Sequence, residues 1–274
     1  MTETAFICET CGAQHTPSAQ PPAGCAICVD ERQYVGPDGQ RWTTLAQLRA
    51  GHRAEIREED TRLTGIGCAP GFAIGQRALL VQTPAGNVLW DCIAYLDDEI
   101  TAAVRERGGV AAIAISHPHY YTSMVEWSRA FDAPIHLHAA DRYWVMRPDE
   151  AIAFWDGEQH ELLPGLTLLR LGGHFAGGTV LHWEGGGDGA GALLSGDIVQ
   201  VVADRGWVSF MRSYPNLIPL PGSTVDEMVA ALEPWPFERL HGGWFGRVVE
   251  ADAKAAVRRS AKRYRRALTV GFAE

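Results

Sequence analysis

The pairs Cys8-x-x-Cys11 and Cys25-x-x-Cys28, separated by 13 residues, place four thiols near the start of this 274-residue chain. Thiolates at that spacing close a tetrahedron around one structural zinc ion. Gly12 follows the first pair, where a knuckle needs a tight turn. So short a segment holds little core of its own, so the metal would keep it folded. Two redox pairs or disulfides are the competing readings, but no thioredoxin-like βαβ pattern surrounds either pair. The knuckle's expected role is to brace the rest of the chain or to bind a partner, a second copy or another protein. Cys68 and Cys92 lack such spacing and lie in apolar settings, where a buried, inert thiol is expected.

A second set is His117, His119, His174, Asp197 and His241. Each follows an apolar, strand-like run: VAAIAIS, LTLLRLGG, ALLSG and FERL. Rigid strands often present ligands on the loops that follow them. A lone histidine is usually a satisfied core residue. Five residues in one repeated context point instead to a metal site. His136 and His138 alternate on one strand and share a face, with no further ligands, and are read as structural. His182 reads as a half-buried strand residue, and His15, His52 and His160 as loop residues. Most tryptophans read as core, with Trp244, near His241, lining a pocket.

The elements that would position these residues follow from periodicity and breakers. A threonine-capped helix is expected over 43–50, with Gly51 as its stop. Strands are expected at 78–82 and 88–92 around the Ala85-Gly86-Asn87 turn, then at 110–115, 134–138, 166–171, 179–183, 192–194 and 239–240. Helices are expected at 96–107, 123–131, 141–146, 225–232 and 249–268. The stretch 184–191 (EGGGDGAG) reads as a hairpin loop, because no GK[ST] follows it. Hairpins followed by alternating strands and helices argue for a mixed α/β layered domain. The expected division is a knuckle over 1–35, a linker with a short helix over 36–60, and the main domain over 61–274.

Within residues 61–245, SHPHYYT, LGGHFAGGT, LLSGDIV and LHGGW stand in the order and context of four motifs. In this the chain resembles the metallo-β-lactamase superfamily, whose motifs are HxHxDH, a histidine after a GG turn, an aspartate in SGD, and a histidine near GH or HGG. Ahead of these, the zinc-ribbon or rubredoxin-like knuckle stands on its own cysteine spacing. The resemblance implies a four-layer αβ/βα sandwich with metals at one edge, between two sheets. Asp91, in NVLWDC, matches an early strand-end aspartate that is usually structural in the family. His117, His119 and His174 match the first metal site, and Asp197 and His241 the ligands that remain of the second. The chain departs from the family at Tyr121 and Thr122, which replace the Asp-His pair of the second site. A phenol and a hydroxyl are poorer zinc ligands, so one tightly held metal is expected. A weaker second metal would need help from Tyr121 or Glu126.

Three histidines with an open position make a catalytic zinc geometry, in which bound water has a pKa near 7. That hydroxide could attack an ester, lactone, thioester or amide carbonyl of a small substrate. Asp197 could orient it, His241 could assist proton transfer, and Tyr121 could donate a hydrogen bond to an oxyanion. Iron or manganese could stand in for zinc at this site. A mononuclear iron oxygenase of the persulfide-dioxygenase type, with His117, His174 and Asp197 as its triad, is an alternative. A non-catalytic, metal-binding interaction protein is another. Substrate contacts are expected from 200–222, where Arg212 and Tyr214 could meet an anion.

Composition narrows the field. Hydrophobic residues make up 46% and charged residues 21%, as in a globular protein. A net charge of -9 argues against broad nucleic-acid binding. Residues 252–266 nevertheless carry seven cations against one acid, read as a solvated helix face or a docking face for an acidic partner. No basic start with an apolar run opens the sequence, and no apolar stretch is long enough to span a membrane. A cytoplasmic location is expected, where cysteines serve as thiols or metal ligands.

Overall fold

The computed structural model describes residues 3–269. The ends of the expected ranges 1–35 and 61–274 lie outside those residues. The chain divides into two compact units, residues 1–155 and 156–274.

The first unit is built on a seven-stranded sheet whose strands lie in chain order. They are β1 (Arg53–Asp60), β2 (Leu63–Ala69), β3 (Ala78–Thr83), β4 (Gly86–Trp90), β5 (Ala112–Ala114), β6 (Ile135–His138) and β7 (Ile152–Trp155). Strands β1 to β4 pair antiparallel, and β4 to β7 pair parallel. The parallel pairs need crossovers. Helix α2 (Asp98–Glu106) supplies one and α3 (Met124–Phe131) another. Asp97 caps α2 by accepting from the Ile100 N–H at 2.8 Å, and Asp98 and Glu99 favour its positive end. Ile100 and Val104, spaced four apart, bury one face of α2 in a core with Leu80, Leu89, Ile113, Ile135 and Trp127. Each buried aliphatic side chain contributes about 1.5–3 kcal/mol.

Helix α1 (Leu45–Gly51) begins at Thr44, whose hydroxyl accepts from the Gln47 N–H. It takes in Gly51, the residue expected to stop it. Residues 53–60, read as the end of a linker, form β1, because their ladder with β2 is almost continuous. The expected strand over 110–115 shortens to β5, because beyond Ala114 the Ser116 N–H turns to the Asp91 carboxylate. The expected helix over 141–146 is a 3-10 segment at Ala139–Trp144.

The second unit carries a six-stranded sheet, also in chain order. Its strands are β8 (Gln159–Leu163), β9 (Leu166–Arg170), β10 (Thr179–Trp183), β11 (Ala192–Gly196), β12 (Arg239–Gly242) and β13 (Val248–Val249). All neighbours pair antiparallel except β11 and β12, which α4 (Gly222–Leu232) separates in the chain. The 184–191 stretch is the hairpin connection between β10 and β11, as its glycines suggest. Helix α5 (Ala253–Thr269) starts four residues later than expected, since Val248 and Val249 pair with β12. Val225, Met228 and Leu232 of α4 and Ala256 and Val257 of α5 pack with Val180, Leu193 and Leu240. Residues 200–222 fold as two short hairpins, 200–201 with 208–209 and 211–213 with 218–219. Among the described residues no helix is long and apolar enough to cross a membrane.

Candidate metal centres

The four N-terminal thiols converge within the first unit. Their sulfur atoms all lie within 4.8 Å of one another, every one buried. Cys8 Sγ stands 3.5 Å from Cys28 Sγ and Cys11 Sγ 3.6 Å from Cys25 Sγ, and none is disulfide-bonded. Metal–sulfur bonds of about 2.3 Å in a tetrahedron set sulfur atoms about 3.8 Å apart, so the cluster fits one metal ion. Local chemistry favours thiolate at Cys25 and Cys8, while hydrogen bonds within the cluster and burial push the Cys11 and Cys28 thiols up. Hydrogen bonds from Cys11, Cys28 and Cys8 hold Cys25 well below the ordinary thiol range. The hydrogen bond from Cys11 leads in bringing Cys8 down to about 7. Gln40 Nε2 adds a donor at 3.0 Å from Cys8 Sγ.

The knuckle is fastened to the rest of its own unit. Ile7 and Cys8 pair with Thr43 and Trp42. The Gln14 N–H donates to the Thr122 carbonyl at 3.0 Å. Buried Arg147 donates to Gln14 Oε1 and, at 2.6 Å, to Glu126 Oε1. Gly12, at φ +81°, leaves room where a Cβ would come within 3.3 Å of both Thr122 and Ala73. His15, read as a loop residue, is buried edge-on against Trp42 at 4.7 Å.

His117 and His119 lie just past β5. His117 precedes a 3-10 turn, Pro118–Tyr120, which presents His119 with its ring centroid 5.2 Å from that of His117. Asp91, at the end of β4, accepts from the Ser116 N–H at 2.8 Å and so fixes the backbone immediately before His117. Burial pushes the Asp91 carboxyl up to about 7, against the opposing pull of its Ser116 hydrogen bonds and Arg77. Ser116 Oγ lies 2.9 Å from His117 Nδ1. That contact engages Nδ1, the kind of outer contact that metal-binding imidazoles make.

Tyr121 and Thr122 face the knuckle side of this unit. Both line a small cavity with Ala13, Gln14, Trp144 and Arg147. Burial, with Asp141 nearby, pushes the Tyr121 phenol well above its ordinary pKa. The carboxylate of Glu126, considered above as help for a second metal, is engaged by Arg147 and by Gln14.

In the second unit His174 follows the Gly172-Gly173 turn, both glycines at positive φ. Its Nδ1 lies 3.1 Å from the Met211 carbonyl, a second outer contact of the same kind. Asp197 follows β11, held by the Tyr214 hydroxyl donating to its carbonyl at 2.9 Å. Tyr214 is therefore structural here, rather than a contact for an anion. His241 is buried within β12 in register with Leu194, and the Ser195 hydroxyl donates to its carbonyl. His117 and His119 of the first unit and His174 and Asp197 of the second, all buried, supply three imidazoles and one carboxylate, a donor set whose chemistry suits a metal ion. His241 is not part of that set. Among the remaining histidines, His138 caps the 3-10 segment through Nδ1, and His182 is buried with Nε2 2.7 Å from the Pro236 carbonyl.

No protein-family model matches the sequence. The chain is 53% identical over 265 residues to the uncharacterized protein YmaE of Bacillus subtilis, covering 96% of each. Among solved structures it is similar to the DIM-1 metallo-β-lactamase, with a TM-score of 0.57 at 12% identity over 78% of this chain and 98% of that one. It is also similar to a metallo-β-lactamase from Pontibacter korlensis, with a TM-score of 0.56 at 11% identity over 77% and 99%. The fold is that of the metallo-β-lactamases, with a four-cysteine knuckle added at the N-terminal end.

Proposed function

We propose a metal-dependent hydrolase function for this chain, which belongs to the family of YmaE and has the metallo-β-lactamase fold. One observation carries the reading. In both units the loop histidine has its Nδ1 engaged, His117 by Ser116 and His174 by Met211, the kind of outer contact that metal-binding imidazoles make. His119 and Asp197 complete the donor set, and the knuckle cysteines hold a separate structural zinc.

This set would hold a metal, zinc in the first instance, which would supply a bound water with a pKa near 7 and polarise a carbonyl. The protein's own groups do the rest. Asp197 orients the attacking water, and His241 carries the proton toward the leaving group. Tyr121 is kept neutral by burial but lines the knuckle-side cavity, so oxyanion stabilisation falls to the metal rather than to this phenol. The site is mononuclear, because Tyr121 lines the knuckle-side cavity and the Glu126 carboxylate is taken up by Arg147 and Gln14. The substrate is a small ester, lactone, thioester or amide.

The test is a hydrolysis panel over those four bond types with zinc-, manganese- and iron-loaded protein. One carbonyl class should be turned over, and His117→Ala should lower kcat/KM by about 10³-fold. Oxygen uptake with a persulfide by iron-loaded protein, without carbonyl hydrolysis, would instead establish the oxygenase triad of His117, His174 and Asp197.

A further inference from the structure

The basic run that the metal chemistry leaves unused lies on α5, and its two faces are treated differently. On one side cations meet acids of the neighbouring helix region. Arg258 and Lys254 pair with Glu233, and Arg265 lies 3.2 Å from Asp226. On the other side, Arg259, Lys262, Arg263 and Arg266 recur at the i, i+3, i+4, i+7 spacing of a single helix stripe.

That stripe borders a cleft of about 630 Å³, lined also by Trp207, Arg265 and Thr269. Among the described residues no carboxylate lines it. The negative end of the helix dipole accounts for cations in the last turn, but not for Arg259, Lys262 and Arg263 further back. Arg263 is preorganised, its Cζ 3.7 Å above the Trp207 ring. Arg259 is anchored by Nε donating at 3.1 Å to the Gly206 carbonyl, with its Cζ 5.6 Å from the same ring. Locking guanidinium groups in place reduces the entropy lost on binding. In a chain of net charge -9, a cleft whose described lining carries five cations and no carboxylate is a local departure that solubility does not require.

We propose that this cleft binds a small anion with a chain of phosphate groups. Arginine forks match phosphate oxygens in pairs. From residue 259 to 266 the stripe runs about 10 Å along the helix, longer than one phosphate needs. The volume lies in the range of small-ligand sites of about 300–1,000 Å³. The anion is free inorganic polyphosphate or the tail of a nucleotide. The site is independent of the hydrolase reading.

Calorimetric titration of the full chain at low salt with tripolyphosphate, ATP and adenosine tests this. One saturable equivalent of tripolyphosphate is expected. The double variant Lys262→Ala/Arg263→Ala should weaken it by about tenfold or more, while Arg258→Ala, on the neutralised side, should stay within about twofold. ATP binding as well as tripolyphosphate would identify the phosphate chain as the whole determinant, and tighter ATP binding would add the nucleoside. No saturable binding, or equal weakening in Arg258→Ala, would overturn the proposal. So would loss on His174→Ala in place of the double variant, which would move the anion to the metal-ligand loops. Tighter binding of a ten-residue oligothymidylate than of tripolyphosphate would replace it with a nucleic-acid groove.

Discussion

The two candidate metal centres are built in opposite ways. The knuckle draws all four ligands from 21 consecutive positions, 8 to 28, and their sulfur atoms converge inside one unit. The histidine and aspartate donors are spread from 117 to 197, two in each unit. A knuckle of the first kind depends on its metal for its fold, since only Ala13 and Ile27 are buried with its cysteines, and Trp42, Trp144 and Met146 pack against them only partly buried. A centre of the second kind is presented by strands whose cores stand without it, each unit having its own apolar cluster. Losing metal should therefore cost structure at the first and chemistry at the second.

The largest effect that would sharpen this contrast is Cys25→Ser. The metal is expected to supply most of the knuckle's folding free energy, on the order of 10 kcal/mol. Calorimetry should show the first unit melting lower by more than about 10 °C, with the second unit's transition in place. A variant that melted like the parent would break the comparison.

The next is Arg147→Ala. It removes the buried cation that joins Gln14 of the knuckle to Glu126 of α3. Breaking such a pair costs about 3 kcal/mol, toward the low end here because Glu126 is partly exposed. Urea unfolding followed at the first unit's tryptophans would measure it.

Asp91 offers a pH test. In metal-free protein its folded pKa is about 7, above the ordinary 3.8. The unfolded carboxyl loses its proton first as pH rises, so stability from this group is full below about 4 and declines toward about 7. Asp91→Asn should flatten that decline in unfolding free energy measured from pH 4 to 7. The slope in the parent should be negative in that window, and an unchanged slope in the variant would remove Asp91 as its source.

The smallest effect expected is that of Gly12→Ala. Its positive φ and the 3.3 Å approach to Thr122 and Ala73 leave no place for a methyl group. The cost should be about 1–2 kcal/mol in the same urea experiment. That would show that the fit of knuckle to loop, and not only the metal, holds the two together.

The same contrast explains what could be read from sequence. Cysteine spacing encodes a tetrahedron locally, so Cys8, Cys11, Cys25 and Cys28 are legible without a fold. His117, His174 and Asp197 become legible only through the apolar strand before each, because the strand fixes where the loop begins. Most helices and strands are visible for the same reason. Illegible were contacts set by tertiary pairing: β1 inside an expected linker, the 3-10 segment at 139–144, and the hydrogen bonds of Ser116, Met211 and Gln14. Arg147 and Glu126 are 21 positions apart and in no motif, so nothing in the sequence links them.

The most direct test of two separate centres is metal content per chain, read with cobalt absorption, in the parent, Cys25→Ser and His174→Ala. Two metals are predicted in the parent and one in each variant. Thiolate-to-cobalt charge-transfer absorption should disappear in Cys25→Ser and persist in His174→Ala. A His174→Ala protein that keeps both metals would contradict the account, for the histidine and aspartate set would then hold none.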